Sequence, residues 1–309
     1  MSITAIVGFI QAVLSGAIRS GTSIFYAALG EVIVERAGIV NLGLEGCMLV
    51  GACAGFVTAS RTGNPYVGLV AAGMAGGVFN LLLGAMVITR RANQLASGLT
   101  LLFLAYGLTA IFGSDYVGKR INGLDTFTIP VLAQIPLVGQ VLFQGDLMWF
   151  TMLPAAGLVW WALYRTRWGL SLRAVGENRV VAFAAGLNPQ RIQYEALFIG
   201  GLLGGLGGGQ LSLGYARVWI EQMTAGRGFI AVALVIFASW HPIRAIVGAL
   251  LFGGAIAFQL QLQARGATVS PFLLDMLPYL LTIAVLLIWG RKRQYQMPQG
   301  LSAVFEGTS

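Results

Sequence analysis

Long apolar runs recur along the whole chain and are separated by short polar segments. A straight helix needs about 20 apolar residues to cross a bilayer. The pattern therefore predicts an all-α, polytopic integral membrane protein of about ten transmembrane helices, and the short first, second and eighth runs predict half-length, tilted or re-entrant helices. The runs cover residues 3–18, 23–39, 42–60, 66–89, 95–113, 147–165, 190–213, 226–240, 243–262 and 272–289.

Composition supports this fold class and excludes a soluble domain. Of the 309 residues, 57% are hydrophobic and 10% are charged, whereas a soluble domain carries about 25% charged residues. The 43 glycines suit close packing of membrane helices. Cys47 and Cys53 would lie about 9 Å apart along a helix, too far for a disulfide. With a single histidine beside these two thiols, we expect no metal site.

Basic residues mark one side of the predicted bundle. They cluster at Arg90 and Arg91, through residues 165–191 and at residues 291–293. Cytoplasmic loops carry an excess of lysine and arginine, so this side is expected to be cytoplasmic, and both termini with it. The chain then divides into a transmembrane domain at 1–295, a cytoplasmic loop at about 166–189, an extracytoplasmic loop at about 114–146, and a cytoplasmic tail at 296–309 with a loose end at 302–309.

The most polar stretch inside the apolar region is residues 30–46, GEVIVERAGIVNLGLEG. A charge at a bilayer centre costs about 2.5–3.5 kcal/mol on insertion scales, so such groups should face a polar cavity, a partner chain or the membrane surface. We expect a helix break at Gly38, with Glu31 and Glu35 on one helix face before it and Asn41 and Glu45 on another after it.

Arg36 should find its partner on another helix or on a lipid phosphate. Three interpretations of the segment remain open. The polar groups pin the turn by hydrogen bonds, they form a cytoplasmic gate, or, least favoured, they contact substrate directly.

The predicted cytoplasmic loop carries helix-capping signals. Asn178 suits an N-cap and Gly186 the position just past a helix, which predicts a helix of about two turns between them. Asn188 then caps the next helix, with Pro189 at its first position. The apolar face of the short helix fits either an interfacial connector resting on lipid head groups or a coupling helix that docks into a separate cytoplasmic motor.

Three sequence blocks resemble one family. Residues 30–46, residues 169–186 (GLSLRAVGENRVVAFAAG) and residues 224–237 (TAGRGFIAVALVIF) are similar, in order and spacing, to blocks of ABC-importer permeases that serve nucleosides and simple sugars. The likeness is greatest to the shorter permease subunit of bacterial nucleoside importers of the basic-membrane-protein type. Arg179, where the family often has proline, and the run at 207–210 depart from that pattern.

The resemblance implies a set of partners and a mechanism. The chain would pair with a second, longer permease in a heterodimer, in a bacterial plasma membrane. A cytoplasmic ABC ATPase would hold ATP and Mg and drive alternating access, and an extracytoplasmic binding protein would deliver substrate. No cofactor would bind to this chain itself. The coupling role transfers to Arg173, Ala174, Gly176, Glu177, Asn178 and Gly186.

A neutral polar substrate needs amides and aromatic rings more than carboxylates. The candidates for a substrate pathway are Asn80, Asn93, Gln94, Phe103, Tyr106, Gln210, Phe229, Gln259 and Gln261. Packing and hydrogen bonding between helices is the simpler alternative for each. Trp219 and Glu221 are expected on the outer side, where they either seat the binding protein or belong to the aromatic belt.

The glycine-rich run at 200–209 lacks the Gly-Lys-Ser/Thr ending of a phosphate loop, so we expect no ATPase site on this chain and no enzyme activity of its own. A stand-alone secondary transporter is one rival function, for which Asp275 is the additional acidic group near a span. An assembly subunit without a pore is another, and a sugar or a vitamin is the alternative cargo. Residues 98–100 and 228–230 both open spans, from opposite sides, which hints at an inverted repeat.

Overall fold

The computed structural model describes residues 3–135, 139–266, 270, 273, 274, 276–293 and 297–305. Within them the chain is almost wholly helical, as the apolar runs predict. The helices are α1 Ile3–Arg36, α2 Leu44–Thr62, α3 Pro65–Gly84, α4 Gln94–Gly113, α5 Gly139–Leu142, α6 Leu147–Phe150, α7 Met152–Arg165, α8 Arg167–Glu177, α9 Arg179–Ala184, α10 Pro189–Gly209, α11 Arg227–Phe237, α12 Pro242–Ala264, α13 Leu277–Arg293 and α14 Gln299–Phe305. Short π-helical segments, Ala85–Thr89 and Gln210–Ala216, extend α3 and α10.

The first two apolar runs form one helix, α1, and not two. The polar residues at the junction of the two runs do not interrupt the helix, and the hydroxyls of two of them bond to the helix's own backbone. Thr22 Oγ1 donates to the Ile18 carbonyl at 2.7 Å, and Ser23 Oγ donates to the Ser20 carbonyl at 2.9 Å. These polar side chains are therefore compatible with complete burial, and the predicted break between the runs is wrong.

Helix α1 runs antiparallel to α12 along its length. Gly21 packs on the Ala249 carbonyl near the middle, and Gly16 packs on Ala257 further along. At the far end, the Arg265 guanidinium lies 4.5 Å from the centre of the Phe9 ring. The start of α1 therefore lies at the end of the bundle where α12 finishes.

The last helix lies at the other end of the bundle. The Gln299 backbone N–H of α14 donates to the Glu177 carboxylate of α8 at 3.1 Å, and Leu301 is fully buried. The prediction that both termini lie on one side is thus wrong, because α1 crosses the bundle once where two spans were expected. Residues 302–305 belong to α14, so they are not loose, while residues 306–309 lie outside the described part.

Four helical segments are long and apolar enough to cross a membrane, by length and composition, in the part of the chain described: Pro65–Thr89, Gln94–Tyr116, Pro189–Ala216 and Pro242–Ala264. Helix α11 is apolar but only 11 residues long, in line with the short eighth run. The all-α membrane architecture is therefore confirmed. Asp275, on which the ion-coupling alternative depends, lies outside the described residues.

The helices form two interlocked sets that run in opposite directions. Helix α1 packs along α12, and α10 packs along α3. The helices α1 and α10 cross at Gly30 and Gly200, where each glycine leaves no room for a side chain on the other. This packing pairs α1–α4 with α10–α13 as an inverted repeat, in which α2 corresponds to α11 and α4 to α13. This pairing differs from the predicted match of residues 98–100 with 228–230, which would pair α4 with α11.

The segment at 114–146 is anchored where its residues are described. Strands β1 (Phe127–Thr128) and β2 (Gln144–Gly145) pair antiparallel. Arg217, in a left-handed conformation with φ of 55°, donates to the Leu124 carbonyl at 2.8 Å. The predicted loop therefore folds over the end of α10. Residues 136–138 of this loop lie outside the described part.

Candidate functional site

The turn between α1 and α2 is held by a chain of buried polar side chains. Gly38 has φ of +80°, a conformation that favours glycine, and it ends α1 where the sequence predicts a break. The Asn41 backbone N–H donates to Glu31 Oε1 at 2.9 Å, and Asn41 Nδ2 donates to Asn80 Oδ1 at 2.9 Å. Asn80 Nδ2 in turn donates to the Leu197 carbonyl at 2.7 Å. The turn is thereby tied to α3 and α10.

Two glutamines add further bonds to the same turn. Gln193 Nε2 of α10 donates to the Ala37 carbonyl at 2.9 Å, and Gln94 Oε1 of α4 accepts from the Val40 backbone N–H at 2.9 Å. Side chains of α4 and α10 therefore hold the backbone of the turn, and Asn80 of α3 holds its Asn41 side chain. This geometry agrees with the interpretation in which polar groups pin the turn.

Glu45 connects the first turn of α2 to the start of α11. Its two carboxylate oxygens accept from the backbone N–H groups of Gly226 and Gly228, at 2.8 and 2.6 Å. The first N–H groups of a helix have no partner within it and carry partial positive charge, so a carboxylate is favourable there. Asn41 precedes α2 and lies in the turn, so the expected shared face with Glu45 is wrong.

Glu35 and Arg36 both hold Trp240, which lies between α11 and α12. Glu35 accepts from the Trp240 indole N–H, and Arg36 donates to the Trp240 carbonyl at 3.4 Å and to the Tyr164 hydroxyl at 3.3 Å. Arg36 thus has its partners on other segments, as predicted. Ser239 and Trp240 are both left-handed with φ of 55°, a strained pair that these contacts stabilise.

The predicted coupling loop contains two helices, α8 and α9. Asn178 accepts from the Val180 and Val181 backbone N–H groups at 3.0 Å, and Gly186 has φ of +85°. Both predicted caps of α9 are therefore confirmed. Helix α8 went unpredicted, although Thr166 caps it by accepting from the Gly169 N–H at 3.1 Å.

The two loop helices differ in where they face. Val180, Val181 and Phe183 of α9 are 77%, 63% and 70% exposed. The end of α8 instead packs on the α1–α2 turn, since the Gly176 Cα lies 3.2 Å from where a Cβ on Gly38 would be. Gly176 itself has no room for a side chain against the Arg36 carbonyl. The end of α8 and the α1–α2 turn are therefore in direct backbone contact.

The other assigned coupling residues surround this contact. The Arg173 guanidinium lies 5.1 Å from the centre of the Tyr164 ring. The Ala174 carbonyl accepts from the Asn178 backbone N–H at 3.0 Å. Glu177 holds the start of α14, as described above.

A cavity of about 980 Å³ opens between α9, the start of α10 and the turn before α4. Its lining includes Arg91, Asn93, Gln94, Arg179 and Phe183. Partial burial, and next the nearby Arg91 charge, lower the pKa of Arg179. Asn93 and Gln94 thus lie at the α8–α9 end of the bundle and not at its middle.

The structure does not gather the predicted pathway residues in one place. Asn80 is buried in the turn network, while Phe103 is 68% exposed on α4 and contacts Tyr106 edge-on. Gln210 Nε2 donates to Asp146 Oδ2 at 3.1 Å. The other candidates lie on different helices. Phe229 is at the start of α11, and Gln259 and Gln261 are in the second half of α12.

Trp219 is a core residue. It is 1% exposed and packs on Phe56 with ring centres 6.4 Å apart. Both roles predicted for Trp219, a place in the aromatic belt or a docking surface for the binding protein, are therefore wrong. Glu221 is exposed. The sequence analysis also missed Trp240 and Tyr164, because single aromatic residues near helix ends carry no distinctive pattern.

The fold and this network define a multi-pass membrane protein in which a two-helix loop packs on a break between two helices. A family profile described as branched-chain amino acid transport system / permease component matches residues 13–286. The chain belongs to this permease family.

Curated relatives cover most of the chain. A putative glucose ABC transporter permease protein of Haloferax volcanii is 39% identical over 303 residues, covering 90% of this chain and 91% of the relative. The guanosine ABC transporter permease protein NupQ of Bacillus subtilis is 33% identical over 297 residues, covering 91% and 92%. The nucleoside ABC transporter permease protein NupC of Lactococcus lactis is 32% identical over 298 residues, covering 92% and 94%.

Proposed function

We propose that this chain is the permease subunit of an ATP-driven importer for nucleosides in a bacterial plasma membrane. Two relatives above 30% identity are named for guanosine and nucleoside transport. A second permease of Bacillus subtilis, NupP, is also 27% identical over 252 residues. That pairing supports a heterodimer in which a different permease chain completes the pathway.

Coupling to a separate motor rests on one observation, the contact of Gly176 in α8 with Gly38 in the α1–α2 turn. A cytoplasmic ATPase holding ATP and Mg would dock on the exposed apolar face of α9. Its movement would pass through α8 to the turn, and from there to α2, α3 and α10 through Glu31, Asn41 and Asn80. The buried turn thereby serves as the cytoplasmic gate.

Alternating access follows if the motor binds the two states of this turn with different affinity. A binding protein at the opposite end would deliver the substrate. We expect ATP to bind to the partner ATPase, because the glycine run at 200–209 of this chain packs helices against one another and has no phosphate-loop lysine.

The docking surface is tested with Phe183→Glu in the assembled complex. A charge on this exposed position should prevent the ATPase from co-purifying and abolish uptake, while the permease stays folded. The matched control is Ile220→Glu, which is 53% exposed away from the loop. ATPase binding that survives Phe183→Glu unchanged contradicts docking on α9.

Energy coupling is tested by reconstitution. The permease pair in liposomes should accumulate no nucleoside until the ATPase, ATP and the binding protein are present. Accumulation by the permease without a nucleotide-hydrolysing partner would identify a secondary transporter.

A simple sugar is the second candidate substrate, favoured by the 39% identity to the putative glucose permease. Calorimetric binding of the cognate binding protein to guanosine, other nucleosides and glucose separates the two. Saturable glucose binding without nucleoside binding would assign the importer to sugars.

A further inference from the structure

A second, smaller pocket lies at the α8–α9 end, between α1, α7 and the start of α12. It has a volume of about 380 Å³ and is lined by Arg36, Trp160, Tyr164, Ser239, His241 and Arg244. Helix α12 begins here as one of the membrane-spanning segments, and α7 ends here. Because α12 is long and apolar enough to cross a membrane and starts at this pocket, we expect the pocket to lie near the membrane surface.

The lining is cationic and contains no carboxylate. Arg36 and Arg244 line the pocket directly, and Arg173 lies against the outer wall formed by Tyr164. Glu35, next to Arg36 in the chain, is 3% exposed and accepts a hydrogen bond from the Trp240 indole. Among the residues that the structure describes, one pair of oppositely charged side chains approaches within 4 Å, Arg191 with Glu195, and neither of them lines this pocket. Within the described part of the chain, no carboxylate therefore forms an ion pair within 4 Å of Arg36 or Arg244.

Polar atoms in the pocket also lack partners. His241 stacks on Tyr164 with ring centres 5.9 Å apart, and its Nδ1 is buried with no hydrogen-bond partner. Burial, followed by the charges of Arg244 and Arg36, lowers the pKa of His241. Arg173 Nε is likewise buried without an acceptor. A ligand that accepts several hydrogen bonds would pair with the guanidinium groups of Arg36 and Arg244, which line the pocket.

We propose that this pocket binds the phosphate group of an anionic phospholipid, with Arg36 and Arg244 as the charged contacts and Trp160 and Tyr164 at the level of the glycerol backbone. Basic pockets between transmembrane helices suit anionic head groups, and tryptophan and tyrosine favour the membrane interface. A lipid can reach the pocket from the bilayer along α7 and α12. The size of the pocket fits one head group.

Occupancy would affect the coupling elements. Arg36 holds the Trp240 carbonyl and ends α1, and Arg173 belongs to α8. A phosphate bound by Arg36 and Arg244 would link α1 to α12 beside the turn that α8 contacts. The lipid thereby becomes a structural part of the gate. This inference concerns lipid binding and stands whether the cargo is a nucleoside or a sugar.

The test uses the full chain in nanodiscs of phosphatidylcholine, alone or mixed with phosphatidylglycerol. Native mass spectrometry counts retained lipid, and the unfolding midpoint reports stabilisation. We expect one phosphatidylglycerol to be retained and to raise the midpoint. Arg244→Gln, at an exposed position, should weaken retention about tenfold, because it removes a charge-assisted hydrogen bond. Arg244→Lys should restore part of it.

Arg90→Gln is the matched control, because Arg90 is an exposed arginine at the same end that does not line the pocket. Equal lipid retention by Arg244→Gln and Arg90→Gln overturns the proposal. Inorganic phosphate added to phosphatidylcholine nanodiscs distinguishes the source. Stabilisation by phosphate equal to that by phosphatidylglycerol would assign the pocket to a soluble anion. Unchanged lipid retention with lost ATPase binding would assign it to the motor.

Discussion

Replacing Glu45 with glutamine should weaken the contact between α2 and α11 and lower the stability of the protein. The carboxylate joins the starts of α2 and α11, which are equivalent helices in the two sets, through two backbone N–H donors. Glutamine has nearly the same shape but offers one acceptor oxygen. Its amide group must therefore face one of the two glycine N–H groups, donor against donor.

The magnitude follows from these contacts. A hydrogen bond to a charged group contributes about 1.5–3 kcal/mol and one between neutral groups about 0.5–1.5 kcal/mol, while an unsatisfied buried donor costs about 1–3 kcal/mol. One weakened bond and one lost bond together should destabilise the protein by about 2–5 kcal/mol. At about 2–4 °C per kcal/mol, the unfolding midpoint should fall by about 4–20 °C.

Thermal unfolding of the purified chain in one detergent, followed by intrinsic fluorescence, measures this shift. Glu221→Gln removes the same charge from an exposed glutamate just ahead of α11 and should leave the midpoint unchanged. A midpoint for Glu45→Gln equal to that of Glu221→Gln would refute the reasoning, since it would mean that no charged, two-acceptor contact exists there.

Three other substitutions test separate contacts by the same melting assay. Gly30→Leu should prevent folding or sharply lower the yield of protein, because α1 and α10 touch through the backbone of Gly200. The control Gly8→Leu should be tolerated, because Gly8 has open space around it. Equal expression of the two variants would contradict the crossing of α1 and α10. Asn80→Leu should cost about 2–4 kcal/mol, since Asn41 and a backbone carbonyl lose their partners, and no shift would mean that the turn is held without it. Trp219→Phe should cost less than about 2 kcal/mol, because the indole N–H has no acceptor; a larger loss would reveal a partner for that group.

Much of the fold could be predicted from periodicity and capping residues. The apolar runs gave the helix class and most boundaries, and Asn178, Gly186 and Asn188 correctly located caps because a cap is a local interaction. The prediction divided α1 into two helices because a short polar stretch interrupts its apolar residues. The sequence does not show that side chains in this stretch bond to the helix's own backbone. That error moved the N-terminus to the wrong end.

The candidate site was only partly visible in the sequence. Charges in an apolar segment correctly marked residues 30–46 as a polar turn. Their partners, such as Trp240 and Gly226, lie about 180 to 200 residues away in the chain, a pairing that no local pattern contains. The pathway candidates were chosen by residue type alone, and type does not distinguish an amide that seals a turn, such as Asn80, from one that faces a channel.

The packing of α1 along α12 has a consequence for how the chain is made. Helix α1 ends at Arg36 and its main neighbour α12 begins at Pro242, so α1 must wait for roughly 200 further residues to be synthesised before the two can pack. Until then, the face of α1 that carries Gly16 and Gly21 contacts lipid or an insertion factor instead of α12. Neither repeat can mature alone, so two fragments cut between α7 and α8 should become resistant to protease only when both are expressed together.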